Sequence, residues 1–271
     1  MEDRVLETAE HRNAGPPSPR KKIIEISNLT KIYPTKDGNI HAVDNINLDI
    51  YEEEFITMVG RSGCGKTTIL KIITGLLPKT RGSVKIKGEE VMGPAANVGI
   101  VFQAPVLPPW RTVIQNVMLP IEILKLDPRE YEPKAVELLK LVGLEGFENK
   151  YPRELSGGMQ QRVAISRALI HDPPLLLLDE PFGALDALTR EEMNLELLRI
   201  WRDKKKTSLL ITHSISEAIF LGDRVVVMTP RPGTVDEIIT IDLPRPRLAE
   251  MRHTPKFGDY VKHISAKIGL G

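Results

Sequence analysis

Eight residues, GRSGCGKT from Gly60 to Thr67, constrain this chain more than any other stretch. They fit the pattern G-x-x-x-x-G-K-[ST], and their flanks agree. FITMV (55–59) is a continuous apolar run suited to a strand buried on both faces, and TTILKIITGLL follows with helical spacing. Glycines let such a loop turn successive backbone N–H groups inward around a phosphate, and the helix start adds the positive end of its dipole. Lys66 is placed to reach β- and γ-phosphates, and the Thr67 hydroxyl to bind Mg²⁺. Cys64, the only cysteine, excludes an internal disulfide and suits a reducing cytoplasm. It invites a redox reading, but its place among small loop residues makes simple packing the better one.

A strand–loop–helix unit of this kind belongs in an α/β sheet, and the remaining pattern agrees. IIEISNLTKIY places Ile24, Ile26 and Ile32 on one parity, with Pro34 expected to stop the strand. AVDNINLDI alternates again through Ile46, Leu48 and Ile50. A helical middle follows: TVIQNVMLPIEILK, with a kink expected at Pro120, then REYEPKAVELLKLVG closed by Gly143. PLLLLLD, SLLIT, RVVVMT and TVDEIITIDLP read as further strands. At 271 residues, 41% hydrophobic and 27% charged, the chain is long enough for one large or two modest domains with a real core. A net charge of +1 gives no electrostatic footprint for nucleic acid. The longest apolar runs fall far short of the ~20 residues a membrane helix needs. MEDRVLETAEHR has no apolar stretch of the kind a secretory signal carries, and NAGPPSPR reads as a flexible tail.

Two more sites carry chemistry. LLLLDEP (175–181) brings Asp179 and Glu180 to the carboxyl end of a buried strand, the edge where open α/β sheets bind ligands. Asp179 there suits Mg²⁺, and Glu180 an attacking water; a solvated helix cap is the plain alternative. LLITHS ends likewise in His213, with Ser214 and Glu217 spaced as a capping box. A histidine so placed is either a hydrogen-bonded strand end or a catalyst. ELSGGMQQR (154–162) is a helix start with a good cap, Ser156, followed by Gly157 and Gly158. Each glycine costs up to ~1 kcal/mol against alanine inside a helix, so something must need close access to that backbone.

From about residue 22 onward the chain resembles the nucleotide-binding subunits of ABC transporters. GRSGCGKT resembles their Walker A motif, LSGGMQQR their signature, LLLLDE their Walker B and ALD (184–186) their D-loop. VFQ supplies a Q-loop glutamine, Gln103, and ITH the switch histidine, His213. Tyr33 matches the aromatic that stacks on adenine, with a core or edge tyrosine as the bland alternative. The resemblance implies a P-loop NTPase with a RecA-like core, an antiparallel β-subdomain and an α-helical subdomain. It implies a tail at 1–21, the ATPase domain at 22–242 with the helical insertion at about 104–160, and a C-terminal extension at 243–271. ATP and Mg²⁺ are its implied cofactors. Nucleotide contacts carry over to Tyr33, Gly60, Arg61, Ser62, Gly63, Cys64, Gly65, Lys66, Thr67, Thr68, Gln103, Ser156, Gly157, Gly158, Asp179 and Asp186. Metal contacts carry over to Thr67, Gln103 and Asp179, and hydrolysis to Glu180, His213, Lys66 and Gln103. Met159 departs from the family, where a glutamine is common, so only backbone contacts are carried over there.

In this family two subunits pack head to tail, each ATP lying between one P-loop and the other signature. That implies a homodimer as the first partner, a membrane permease as the second and, indirectly, a periplasmic or surface binding protein, with no nucleic acid. PVLPPWRTVIQNVMLPIEIL and VVVMTPRPGTVDEIITIDLPRPR are similar to the ATPases of nitrate, sulfonate and taurine importers, which places the chain at the cytoplasmic face of the membrane. Val106, Leu107 and Trp110, expected to be exposed, are either core filler or a groove for a permease helix. A small-molecule kinase leaves the signature and histidine unexplained, and a GTPase lacks its N-K-x-D motif. The alternatives are a soluble ABC ATPase, as in repair or translation, and an ABC ATPase serving a different membrane partner.

Overall fold

A computed structural model describes residues 21–36, 38–95, 97–183, 185–204 and 206–269. The expected tail therefore lies outside the described residues except for Lys21, as does Ala184 of the ALD triplet. The first strands, β1 (Lys22–Thr35) and β2 (Gly38–Tyr51), form an antiparallel pair. Alternation holds in β2, where Ile46, Leu48 and Ile50 are all buried. It fails in β1, where register shifts flank Leu29 and Asn28 sits at φ 48°. A bulge changes which residue faces inward. Leu29 is buried in place of Ile32, which is only partly covered. Pro34 does not stop β1; it pairs with Asn39, in a stretch with a β-neighbour on one side only, where a missing N–H is tolerated.

β3 (Phe55–Val59) precedes the glycine loop and α1 (Lys66–Ile73). β4 (Arg81–Ile86) and β5 (Glu89–Glu90) complete a four-stranded antiparallel sheet in the order β2-β1-β4-β5. β6 (Val98–Val101) leads into four helices: α2 (Val113–Val117), α3 (Leu119–Ile123), α4 (Pro128–Leu141) and α5 (Gly157–Leu169). The stretch expected as one kinked helix is two. Thr112 and Gln115 form a capping box that starts α2, and Pro120 cannot continue the ladder, so the chain breaks at Met118. The four helices share an apolar cluster running from Val113 and Ile121 through Leu139 to Val163 and Ile170.

The chain then returns to the first sheet region through β7 (Leu175–Asp179), α6 (Ala187–Lys204), β8 (Thr207–Ile211), α7 (Ile215–Leu221), β9 (Arg224–Met228), β10 (Val235–Thr240) and α8 (Pro255–Ile268). The large sheet has the order β10-β9-β3-β8-β7-β6, parallel except for β10. Every residue of β3, β7 and β8 is buried, as central parallel strands require. One face packs against α1 and the antiparallel sheet, the other against α5, α6, α7 and α8, where Phe257, Ile264 and Ile268 join the core. The carboxyl ends of β3, β7 and β8 consequently deliver Gly60, Glu180 and His213 to one edge of the sheet.

Candidate functional site

The glycine loop closes tightly against β2. Gly65 sits at φ 100°, and a Cβ there would stand 2.3 Å from Val43 Cγ1 and 2.9 Å from the Ala42 carbonyl oxygen. Only glycine fits. Lys66, 5% exposed, donates from Nζ to the carbonyls of Gly60 (2.8 Å) and Arg61 (3.3 Å). Cys64 is buried with its Sγ 3.8 Å from Lys66 Nζ, which agrees with the packing reading of this thiol. In front of the loop lies a pocket of about 470 Å³ lined by Tyr33, Ser62, Gly63, Gly65, Lys66, Thr67, Thr68, Gln103, Glu180 and His213.

Thr67 Oγ1 donates to Asp179 Oδ1 at 3.1 Å, joining the loop to the end of β7. Burial pushes the Asp179 carboxyl above its ordinary range; the Thr67 hydrogen bond opposes this and the neighbouring Glu180 charge adds to it. A cation beside Asp179 would favour its charged form. A hydroxyl and a carboxylate, with the Gln103 amide in the same pocket, form a hard oxygen donor set suited to Mg²⁺. Among the described residues no group of three or more His, Cys, Asp or Glu could hold a metal. A Mg²⁺ ion held here would be free to take further oxygen ligands from a phosphate or water.

Glu180 stands at φ 48°, its amide still bonded to Ile211 O at 2.9 Å, so the strand-end geometry turns its side chain into the pocket. One carboxylate oxygen, Oε2, receives Gln103 Nε2 at 3.1 Å and meets His213 Nε2 at 2.5 Å. Of the four residues assigned to hydrolysis, Glu180 thus touches both Gln103 and His213, and Lys66 lines the same pocket. The segment around Gln103 is in turn held by α5: Gln161 Nε2 donates to Phe102 O, and Arg167 to the carbonyls of Pro105 and Val106. Behind His213 the expected capping box is only half formed. Ser214 Oγ accepts the Glu217 N–H at 3.2 Å, but the Glu217 carboxylate accepts from the Thr212 hydroxyl instead of the Ser214 backbone. The Thr212 oxygen itself accepts the Ser214 N–H at 3.0 Å, so a three-residue brace, buried at Thr212 and Glu217, spans His213. Burial pushes the Glu217 carboxyl up.

The remaining sequence-derived residues lie elsewhere. Ser156 caps α5, accepting the Met159 N–H at 3.3 Å, and neither it nor Gly157 nor Gly158 lines the loop pocket. Met159 packs against the helical cluster, an apolar contact that suits methionine where the family favours glutamine. Asp186 accepts the Thr189 N–H at 3.0 Å and so caps α6. Val106 and Trp110 are 65% and 75% exposed, whereas Leu107 packs against two core clusters, contrary to expectation. Three pocket residues were not foreseen: Ile40, Ala42 and Arg231. Ile40 pairs directly with Tyr33, so the alternation of β2 carried its signal. The RPG stretch marked the turn between two strands but not what Arg231 touches.

The ABC transporter family model matches residues 43–183, just over half of the chain. An ABC transporter ATP-binding protein of Methanocaldococcus jannaschii, itself uncharacterized, is 52% identical over 241 residues, covering 89% of each chain. A taurine import ATP-binding protein of Rhizobium johnstonii is 43% identical, covering 90% of this chain and 95% of that one. The dimeric structure of a bacterial ABC transporter cassette superposes with a TM-score of 0.74 at 36% identity, over 82% of this chain and all of that one. A dimeric cassette in a post-hydrolysis state with ADP and phosphate superposes with a TM-score of 0.73 at the same identity and coverage. With the loop, the acidic strand end and His213 gathered at one sheet edge, the chain belongs to the ABC transporter family, as one of its ATP-hydrolysing cassettes.

Proposed function

We propose that this cassette is the motor of an importer for a small anionic or polar solute such as nitrate, a sulfonate or taurine. Two copies work head to tail beneath a membrane permease, at the cytoplasmic face, and a periplasmic or surface binding protein delivers the solute. The named relatives support the importer: taurine import, aliphatic sulfonate import and bicarbonate transport ATP-binding proteins, at 43–45% identity over 83–90% of this chain. No helix among the described residues is long and apolar enough to cross a membrane, so the solute's path would lie in another subunit. Exposed Val106 and Trp110, on a loop tied to Gln103 through α5, fit a docking surface for a permease helix.

The observation that carries the dimer is the start of α5. Beyond its chain neighbours and the backbone of its own helix, no atom of the described residues lies within 4 Å of where a Gly157 Cβ would stand. Nothing among the described residues asks for glycine there, yet the helix accepts its cost. Backbone N–H groups at an open, side-chain-free helix start suit an incoming phosphate. In the dimer, Ser156, Gly157 and Gly158 of one copy face the γ-phosphate held by the other copy's loop, with Asp186 at the same junction.

Within one site, Tyr33 stacks on adenine. Gly60 through Thr68, including Arg61 and Cys64, wrap the phosphates, and Lys66 exchanges its loop carbonyls for phosphate oxygens. Thr67, Asp179 and Gln103 would hold Mg²⁺, which neutralises phosphate charge when bound. Glu180 takes the proton of the attacking water on the carboxylate oxygen that Gln103 and His213 leave free. His213 steadies the γ-phosphate, and Gln103 reports its presence to the helical region through α5. ATP closes the dimer, and its hydrolysis to ADP and phosphate lets it open.

Reconstitution with the permease and binding protein tests this reading. ATPase activity stimulated by solute-loaded binding protein, with uptake of taurine, a sulfonate or nitrate, is the expected result. Failure to associate with any permease, together with activity stimulated by ribosomes or DNA, would replace the importer with a soluble ABC ATPase.

A further inference from the structure

We infer that Arg231 is a nucleotide-contacting residue that places a second fixed cation on the polyphosphate; this rests on the loop pocket being the ATP site. The turn between β9 and β10 lies directly on the glycine loop. A Cβ on Gly233 would fall 1.8 Å from the Cys64 carbonyl oxygen, so the two backbones touch. The same turn is fixed to β2 by Gly233 N–H to Ala42 O at 3.0 Å and Asp44 N–H to Gly233 O at 2.9 Å. Thr229 closes it internally, accepting the Thr234 N–H at 2.9 Å. A turn anchored on both sides presents Arg231 at a defined place.

That place is the mouth of the pocket. Arg231 Nε and Nη2 both donate to the Gly63 carbonyl, at 3.4 and 3.3 Å, and the side chain lines the cavity together with Lys66. A guanidinium has five N–H donors in a planar fork, and one carbonyl occupies only one edge of it. The other edge is available to a phosphate oxygen. The charge balance asks for it: among the described residues Lys66 and Arg231 are the only lysine or arginine side chains lining the pocket, and Glu180 lines it too while Asp179 adjoins it. A polyphosphate entering beside two carboxylates gains from each fixed cation it meets. The Gly63 contact also ties the turn to the glycine loop.

Calorimetric titration of the full-length protein with ATP, at two salt concentrations, tests this with Arg231→Ala, Arg231→Gln and Lys66→Ala. Arg231→Ala is expected to weaken ATP about 3- to 10-fold, the effect of one partly exposed charge-assisted contact, and to flatten the salt dependence. Arg231→Gln, which keeps a donor for Gly63 O but no charge, is expected to behave like alanine. Wild-type affinity in Arg231→Gln with loss in Arg231→Ala would overturn the phosphate contact and leave only a brace on the loop. Wild-type affinity in both would remove Arg231 from the site altogether. If Lys66→Ala also bound ATP normally, the nucleotide pocket itself would be misassigned, a failure distinct from that of Arg231.

Discussion

Helices α1 and α5 both begin on glycine-rich turns, and they are built in opposite ways. At α1 the glycine is demanded from inside: Gly65 has a left-handed backbone, and any side chain would strike Val43 and Ala42. Around it Lys66, Thr67 and Asp179 are already paired with neighbours in the same chain. At α5 the described residues make no such demand on Gly157, and Gly158 meets only the side chains of Leu185 and Thr189 at 3.2 and 3.7 Å. One helix start has walls built by its own chain. The other, among the described residues, stands open, and on the proposed reading its glycine serves the facing copy.

The largest effect that could break this contrast concerns chemistry at the walled site. Glu180→Gln should retain ATP binding and lose about 10²- to 10⁴-fold in turnover, leaving an ATP-stabilised dimer visible by light scattering. Near-normal hydrolysis would remove Glu180 as the base. A mixing experiment addresses the open site. Chains carrying Lys66→Ala and chains carrying Gly157→Asp should each be inactive alone, while the mixed dimer regains one wild-type site. ATP occlusion, measured with Glu180→Gln added to both chains, guards against cooperativity hiding the recovery. If verified heterodimers neither hydrolyse nor occlude ATP, the α5 start does not act on the facing copy's nucleotide.

Alanine separates the two glycines more gently. Gly65→Ala should cost about 1–3 kcal/mol by denaturant unfolding and abolish nucleotide binding, because both backbone and neighbours resist it. Gly157→Ala should leave stability unchanged or raised by up to ~1 kcal/mol while lowering ATPase activity. A destabilised Gly157→Ala protein would mean that the glycine serves its own chain after all. Trp110→Ala extends the comparison to the permease surface. At 75% exposure the residue should contribute within about 0.5 kcal/mol to stability, yet its loss should weaken permease binding by roughly 30-fold if it anchors the interface. Unchanged association would place it outside that interface.

The smallest expected effect lies at the brace behind His213. Burial raises the Glu217 pKa above its unfolded value, so its favourable contribution is present at low pH and is lost as pH rises through the folded value. Glutamine stays neutral and still accepts from Thr212. Glu217→Gln should therefore match or exceed wild-type melting temperature at pH 8, the gap closing toward pH 4. A lower melting temperature at pH 8 would show that the ionised carboxylate is what holds Thr212.

Local spacing carried much of this molecule's chemistry. GRSGCGKT follows a buried strand, LLLLDE and ITH each run off the end of one, and the parallel sheet turns that shared context into a shared edge, bringing Lys66, Glu180 and His213 into one pocket. Where the reading failed, a non-local contact or a backbone irregularity had intervened. A bulge at Asn28 moved the inward position to Leu29. Two core clusters covered Leu107. Thr212, two residues before the cap, captured the Glu217 carboxylate that spacing had assigned to Ser214.

The sequence by itself determined the α/β class, the phosphate loop, the acidic strand end and the family, because each depends on residue types at short fixed intervals. Only the tertiary structure decided that Arg231 reaches the glycine loop across 168 positions, that α5 grips the segment around Gln103, and that Gly157 opens onto nothing of its own chain among the described residues. The physical reason is the same in each case. Glycine's use, a guanidinium's partner and a carboxylate's donor are settled by what stands within a few ångströms, and the chain's order along the sequence does not specify those neighbours.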